Sequence, residues 1–229
     1  MAVDRGRLLY CSGPDVQIFD IADPYHPHLL GTHRLSFGLV HPLGLRFLVI
    51  GDLVFITGKE ASSGGIVLDI SDPSNPFEAN VPWPAFFAPV EVLINDTPYF
   101  QAPEVLIHRD TIFTLRENNL QVYTTDNLST PLAILDLPIA LGVNNHLSYS
   151  DGRLVVRTST GEEGGETSRV SVTVVDVENP AQPQLLASWE RAHHPAPGWI
   201  VTLQVAAYGD YLYVHMNEDG VHIFKLVPN

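Results

Sequence analysis

Residues 65–76 read GIVLDISDPSNP, an apolar run that closes on an Asp, adds one more apolar residue, and then passes into Ser-Asp-Pro with a second Pro three residues on. The Val and Ile content of the run suits a strand. Asp, Asn and Ser side chains accept backbone amides in Asx-type turns, and Pro presets φ while ending the ladder, so the chain must turn after the run. The same unit recurs as VQIFDIADPYHP (16–27), VTVVDVENPAQP (172–183) and, degenerate, QVYTTDNLSTP (121–131), while VHIFKLVPN (221–229) repeats its start. Anchored on the residue after the apolar run (Asp20, Asp69, Thr124, Asp176, Lys225), the spacings are 49, 55, 52 and 49 residues. That period is long for a horseshoe repeat and close to one blade of a β-propeller.

Working outward from each copy, three further elements appear. A preceding series comprises RLLYCS (7–12), LVFITG (53–58), TIFTLR (111–116), RLVVRT (153–158) and YLYVHM (211–216). Before it come LRFLVIGD (45–52), EVLIHRD (104–110), HLSYSDG (146–152) and LQVAAYGD (203–210), whose GD, RD, DG and GD junctions fit two-residue hairpin turns. After the last Pro comes a short fourth strand, as in HLLGTH (28–33) and QLLASW (184–189). Helical periodicity is almost absent, and 17 Gly and 18 Pro punctuate the runs. The expected fold is an all-β β-propeller of about five four-stranded blades in a single domain over 1–229, with units at about 1–35, 41–83, 101–138, 144–190 and 200–229. Register places Gly6 on Gly152, so MAVD (1–4) reads as the tail of a first inner strand, and Asn229 precedes any fourth strand of the last unit. The first and last blades are therefore expected to be incomplete. Three arrangements stay open: five blades with two thin ones, four blades with a C-terminal hairpin, or part of a longer protein. The open edge strands invite self-association.

The consensus, an apolar strand followed by G-I-x-V-x-D-I-S-D-P-x-x-P, resembles the LVIVD-repeat β-propellers of bacteria and archaea. Gly65–Pro76 is the closest copy, and the likeness runs over essentially the whole chain. The third unit departs from it, with Thr124–Thr125 in place of the Asp-apolar pair and Leu128 in place of the first Pro. The resemblance implies the propeller fold and, if the true start lies upstream, an exported or cell-surface protein; it says almost nothing about chemistry.

Twelve Lys and Arg against 26 Asp and Glu give a net charge of −14 over 229 residues, which argues against a nucleic-acid partner. The single cysteine, Cys11, excludes an internal disulfide, and no CxxC or Cys/His ligand spacing is present. No apolar run reaches the roughly 18 to 20 residues of a membrane span, and MAVDRGRLLY lacks the apolar core of a signal peptide, so no membrane insertion is expected. There is no G-x-S-x-G elbow and no Gly-rich phosphate loop, and no cofactor is expected.

Candidate functional residues come from the inner strands. Six residues before the turn positions Asp52, Asp110, Gly152 and Asp210 stand Arg46, Glu104, His146 and Gln204, all polar; five before stand Phe47, Val105, Leu147 and Val205, all apolar. Alternation sends the two sets to opposite sides, the apolar set between blades and the polar set toward a central channel. The plain alternative is a wet channel whose polar groups satisfy one another. Of the ten histidines, His41, His146, His193 and His194 fall at or just before inner strands, but no two share a register and no metal is expected. The acidic GEEGGE (161–166) lacks the ligand order of a calcium loop. Two Pro-rich connections remain. Pro82–Pro103, read as irregular chain, carries Trp83, Phe86, Phe87, Tyr99 and Phe100; RAHHPAPGW (191–199) carries His193 and Trp199. They either frame a pocket over the polar row or cover inter-blade core. The reading is a non-catalytic binding or protein-interaction propeller, taking a protein or a small polar ligand at Arg46, Glu104, His146, Gln204, His193 and Trp199. The alternative is a propeller hydrolase or lyase, with His146 as base and Arg46 and Glu104 orienting the substrate.

Overall fold

A two-residue junction forces the strands on either side into an antiparallel hairpin. The computed structural model describes residues 2–36, 46–57, 65–81, 83–87, 90–94, 97–101, 103–116, 118–138, 144–160, 168–193, 203–216 and 220–226, and every inner junction behaves this way. Arg5–Gly6 and Asp151–Gly152 have positive φ at both turn residues, whereas Gly51, Arg109 and Gly209 carry it only at the first. These are the two backbone solutions that match the twist of a tight hairpin.

The chain is all-β, a β-propeller chain of successive blades. Blade one comprises β1 (Ala2–Asp4), β2 (Arg7–Ser12), β3 (Asp15–Asp20) and β4 (His28–Arg34); blade two comprises β5 (Arg46–Ile50), β6 (Leu53–Thr57), β7 (Ile66–Asp69) and β8 (Phe77–Glu78). A hairpin of β9 (Val90–Ile94) and β10 (Thr97–Gln101) follows. Blade three is β11 (Glu104–His108), β12 (Thr111–Arg116), β13 (Asn119–Thr124) and β14 (Ala133–Asp136). Blade four is β15 (Asn144–Ser150), β16 (Arg153–Thr160), β17 (Ser168–Asp176) and β18 (Gln184–His193), and blade five is β19 (Leu203–Tyr208), β20 (Tyr211–Met216) and β21 (Gly220–Lys225). Each sheet is a meander in sequence order. The inner strand of blade one is three residues long, and blade five has three strands among the described residues. Met1–Ala102 and Pro103–Asn229 form two compact units.

One backbone bond marks the repeat in all five blades. The amide after the anchor residue (Ile21, Ile70, Thr125, Val177, Leu226) donates to the carbonyl of the second turn residue (Gly6, Asp52, Asp110, Gly152, Asp210) at 2.7 to 2.9 Å. The xDPxxP element closes as its composition dictates. Asp69 accepts Ser71 N at 2.9 Å, Asp72 accepts Ser74 N at 3.0 Å and Ser74 Oγ at 2.6 Å, and Asp20, Asp23, Asn127, Asp176 and Asn179 make equivalent bonds.

Blades pack by one rule. In blade one, Leu9, Val16 and Ile18 meet Val54, Ile56, Leu68 and Ile70 of blade two. In blade three, Phe113, Leu120 and Val122 meet Leu154, Val156, Val175 and Val177 of blade four, and blade four in turn offers Val155, Val172 and Val174 to Leu212, Val214 and Leu226 of blade five. The far face of one blade thus meets the near face of the next. Leu30 and Leu186 join these clusters as the extra residues of two β-bulges, at the register shifts between Ile18 and Phe19 and between Val174 and Val175. A bulge re-aims one side chain, and here it sends an outer-strand leucine inward.

The Pro82–Pro103 connection departs from the irregular chain expected of it. It holds a 3-10 turn (Ala85–Phe87) and the β9–β10 hairpin, registered through Thr97↔Ile94 and Tyr99↔Val92. The alternation in VEVLI and TPYFQ around Asn95–Asp96 is a hairpin pattern that the density of prolines disguises. Phe86 and Phe87 are fully buried, Trp83 stacks on Phe87 at 5.4 Å and meets Phe55 of β6 edge to face at 5.7 Å, so Trp83 and Phe87 pack beside blade two.

The Asx turns predict the acid limb of stability. Asp23 is held below the usual carboxylate range by His26 and then by the Tyr25 amide; Asp69 by Ser71 and Asp72 by Ser74, each through side chain and then amide. A carboxyl whose folded pKa is depressed stabilises the fold above its unfolded value, and that contribution is lost as pH falls through the folded pKa. The thermal midpoint should therefore drop on acidification below about pH 4. Replacing all three by Asn keeps the turn acceptors but removes the titration, and should flatten that drop; superimposable acid limbs for the two proteins would show that these turns carry none of it.

Candidate functional site

The apolar half of the inner-strand pattern packs between blades, with Phe47, Leu147 and Val205 in the inter-blade clusters. The polar half stands at one register. Arg46, Glu104, His146 and Gln204 pair across their hairpins with Thr57, Leu115, Arg157 and His215. The side chains of Arg46 and Gln204 lie outside the described residues, as do His41, His194, Trp199 and the 161–166 segment.

Glu104 and His146 are brought together. Glu104 extends from β11 to β15, placing Oε1 3.2 Å from His146 Nδ1 and 3.5 Å from the Leu147 amide, which donates to it. The carboxylate is 11% exposed and the imidazole 55%. The buried partner thus fixes the exposed one. Nδ1 facing a carboxylate assigns Nε2 as the ring nitrogen that exchanges protons or accepts a bond. Arg157 on β16 stands directly opposite His146, and directly opposed residues share a face. Burial lowers the Arg157 pKa from its ordinary value. A carboxylate and an imidazole therefore meet at the inner edge of blades three and four, with the half-buried Arg157 opposite His146 in the ladder. Sequence reasoning passed over Arg157; its signal was a basic residue inside the otherwise apolar RLVVRT run.

His193 is placed elsewhere. It ends β18, opposite Ser168, on the outer strand of the sheet whose inner strand carries His146. Three strand spacings, about 14 Å, separate those strands. The β17–β18 hairpin runs to nine and ten residues, longer than its counterparts, and this carries RAH into the ladder.

Two further polar arrangements are structural ties. Arg7 reaches the next blade's turn at Asp52 (3.4 Å) and the Ile70 carbonyl (3.3 Å), and Arg5 bonds Gly51 O and Asp52. Arg153 repeats the clasp on Gly209 O and Asp210, the latter at 3.2 Å. Both clasped turns are GD. At the outer strands, His33 donates Nδ1–H to the Pro76 carbonyl at 2.9 Å, and Glu78 accepts the Ser36 amide at 2.6 Å. Burial raises the Glu78 pKa, but the bonds from Ser36 and His33 outweigh it and hold the group below its ordinary value. A cleft of about 300 Å3 lies beside the blade-four clasp, lined by Asp151, Arg153, Asp176, Glu178 and Lys225 among others. Among the described residues, no group of three or more His, Cys, Asp or Glu is arranged to hold a metal ion.

The family model described as LVIVD repeat matches residues 49–81, from the inner strand of blade two past its outer strand, and 202–223 in blade five. Two segments of the chain thus match the LVIVD repeat. No curated protein matches it. Among solved structures, a eukaryotic initiation factor aligns with 98% of this chain and 51% of its own length, at 17% identity and a TM-score of 0.45. Hsv2 of Kluyveromyces lactis aligns over 99% and 72% at 10% identity and a TM-score of 0.35. A functionally unknown protein from Desulfotomaculum acetoxidans aligns over 95% and 74% at 12% identity and a TM-score of 0.36. The chain thus spans about half the length of the initiation-factor chain.

Proposed function

We propose that this propeller chain is a non-catalytic binding module whose recognition centre is the Glu104–His146–Arg157 cluster. The observation that carries the reading is the pairing at 3.2 Å of a carboxylate 11% exposed with an imidazole 55% exposed. Orienting an exposed donor–acceptor through a buried partner is how a site gains preference for one ligand geometry at small cost in side-chain entropy. In a chain of net charge −14, an imidazole with an arginine opposite it in the ladder is a local exception that favours a small polar ligand with an acceptor group. Gln204 extends the same register on β19 in this reading.

The test is a titration of the full chain with a panel of small carboxylates, phosphates, amino acids and polyols, following the imidazole resonances of His146. Specific, saturable shifts are expected, with binding weakened at least tenfold in Glu104→Gln and, followed there through the backbone amide resonances of β11 and β15, in His146→Ala. Folded protein with unmoved His146 signals across the panel at millimolar concentration would overturn the reading. The same geometry favours a second reading, a propeller hydrolase or lyase, because a carboxylate on Nδ1 is the arrangement that prepares Nε2 as a general base. In that case a ligand in the titration is consumed with time by the wild-type chain and not by His146→Ala.

A further inference from the structure

A hydrogen-bonded carboxylate in contact with an imidazole fixes the charge that a ligand meets. Glu104 Oε1 lies 3.2 Å from His146 Nδ1 and 3.5 Å from the Leu147 amide, so two donors converge on one oxygen of a nearly buried carboxylate. Accepting hydrogen bonds favours the ionised carboxylate, and an anion against an imidazole favours the protonated ring. Burial of the carboxylate leaves that attraction weakly screened, while the half-exposed ring keeps the hydration that an imidazolium needs. The pair is thus arranged to hold a proton on His146.

Among the described residues, β11, β16 and β19 pack against β15. From β11 come Glu104 and, four residues on, His108, which stacks on Tyr149 at the other end of the strand. From β16 come Arg157, opposite His146, and Arg153, nearer the turn and extended to Asp210 at 3.2 Å. The β19 sequence LQVAAY has no charged residue, and its Tyr208 stands at the turn end. At the His146 register, then, Glu104 and Arg157 balance. The site is neutral when the ring is neutral and carries one positive charge when the ring is protonated. A cationic ligand would oppose both Arg157 and the proton, and a dianion would leave one negative charge uncompensated in a chain already at −14.

We propose that the ligand of this site is a small carboxylate monoanion, and that each one is bound together with one proton, carried by the His146 imidazole. The inference rests on the binding reading above and narrows it to one ligand class and one protonation state. Glu104 is a positioning residue in it, acting through His146 rather than on the ligand. No covalent bond forms, and the proton comes from solvent. Affinity is full while the ring is protonated and falls as pH rises through its titration, by about tenfold per pH unit beyond it, because each ligand must then bring a proton with it.

The experiment follows the backbone amide resonances of β11 and β15 in the full chain as acetate, lactate, glycerol or methylammonium is added, in steps from about pH 6 to about pH 9. None of the four probes changes charge over that range, so any slope belongs to the protein. The wild type is expected to bind the two carboxylates more tightly than glycerol or methylammonium, with affinity falling about tenfold or more from the acid to the alkaline end. His146→Gln should bind them about tenfold more weakly at the acid end and show no slope. Glu104→Gln should displace the profile to lower pH, so that affinity lost near neutrality returns on acidification; a purely structural role would not give that recovery. Carboxylate binding that ignores pH, or tighter binding of glycerol or methylammonium, overturns the inference and leaves the binding reading standing. Amides unmoved by both carboxylates also overturn it, and a folded chain unmoved by the whole panel of carboxylates, phosphates, amino acids and polyols overturns the binding reading with it.

Discussion

Phe113→Ala is expected to cost about 3–5 kcal/mol, a large share of the roughly 5–15 kcal/mol that stabilises a typical domain. Phe113 is 2% exposed and sits in the cluster where blade three meets blade four, with Leu115, Leu120, Leu147 and Leu154 around it and the Tyr149 ring 6.4 Å away. Truncation removes the transfer free energy of a benzyl group. It also leaves a cavity that the flanking strands, tied by ladders on both sides, cannot close. Ile134→Ala on β14 is the control, since Ile134 is 57% exposed and its loss should stay within about 0.5 kcal/mol. Urea denaturation checks both. The Phe113 variant should lose midpoint with an unchanged slope, and a loss under about 1 kcal/mol would show that the inter-blade cluster is not what holds these blades together.

The sequence carried the blades because their determinants are local. An apolar run ending on Asp, a Pro that stops the ladder and a GD or DG pair each act within a few residues, and each recurs, so five weak signals reinforce one another. The inner-strand alternation was legible for the same reason. It correctly sent Phe47, Leu147 and Val205 between blades and set Glu104 and His146 at one register. What escaped is non-local. Glu104 extends to His146, 42 residues on, and Arg153 to a turn 56 to 57 residues on; neither pairing leaves a trace in either segment alone. The bulges that turn Leu30 and Leu186 inward depend on a register shift of one residue, which apolar runs such as HLLG and QLLA leave undetermined. The aromatic connection misled because proline density outweighed the alternation of β9 and β10.

The strongest constraint between blades one and two rests on an atom that is missing. Gly31 lies on β4 opposite Ile18, beside the bulge, and its φ is one any residue adopts, so backbone freedom does not explain it. Space does: a Cβ there would run into the Pro73 carbonyl of the blade-two turn and press within 3.2 Å of Ser74 Cα. That turn cannot retreat easily. Asp72 grips the Ser74 amide at 3.0 Å and Asn75 N donates to the Asp72 carbonyl at 3.0 Å, so both colliding surfaces are backbone held by their own hydrogen bonds. Gly31→Val should therefore cost about 3 kcal/mol, the upper end of the overpacking range. Gly13 gives the contrast. Its φ of +64 strains any side chain, yet nothing lies within 4 Å of the new Cβ, so Gly13→Ala should cost only the roughly 1–2 kcal/mol of the left-handed conformation. Denaturation of the two variants separates the reasons. Asn, which tolerates a positive φ, should recover most of the Gly13→Ala loss, while the Gly31 loss should be large already at Ala, rise further at Val and not be relieved by Asn. A Gly31→Val chain as stable as wild type would mean that the blade-two turn does not lie against β4.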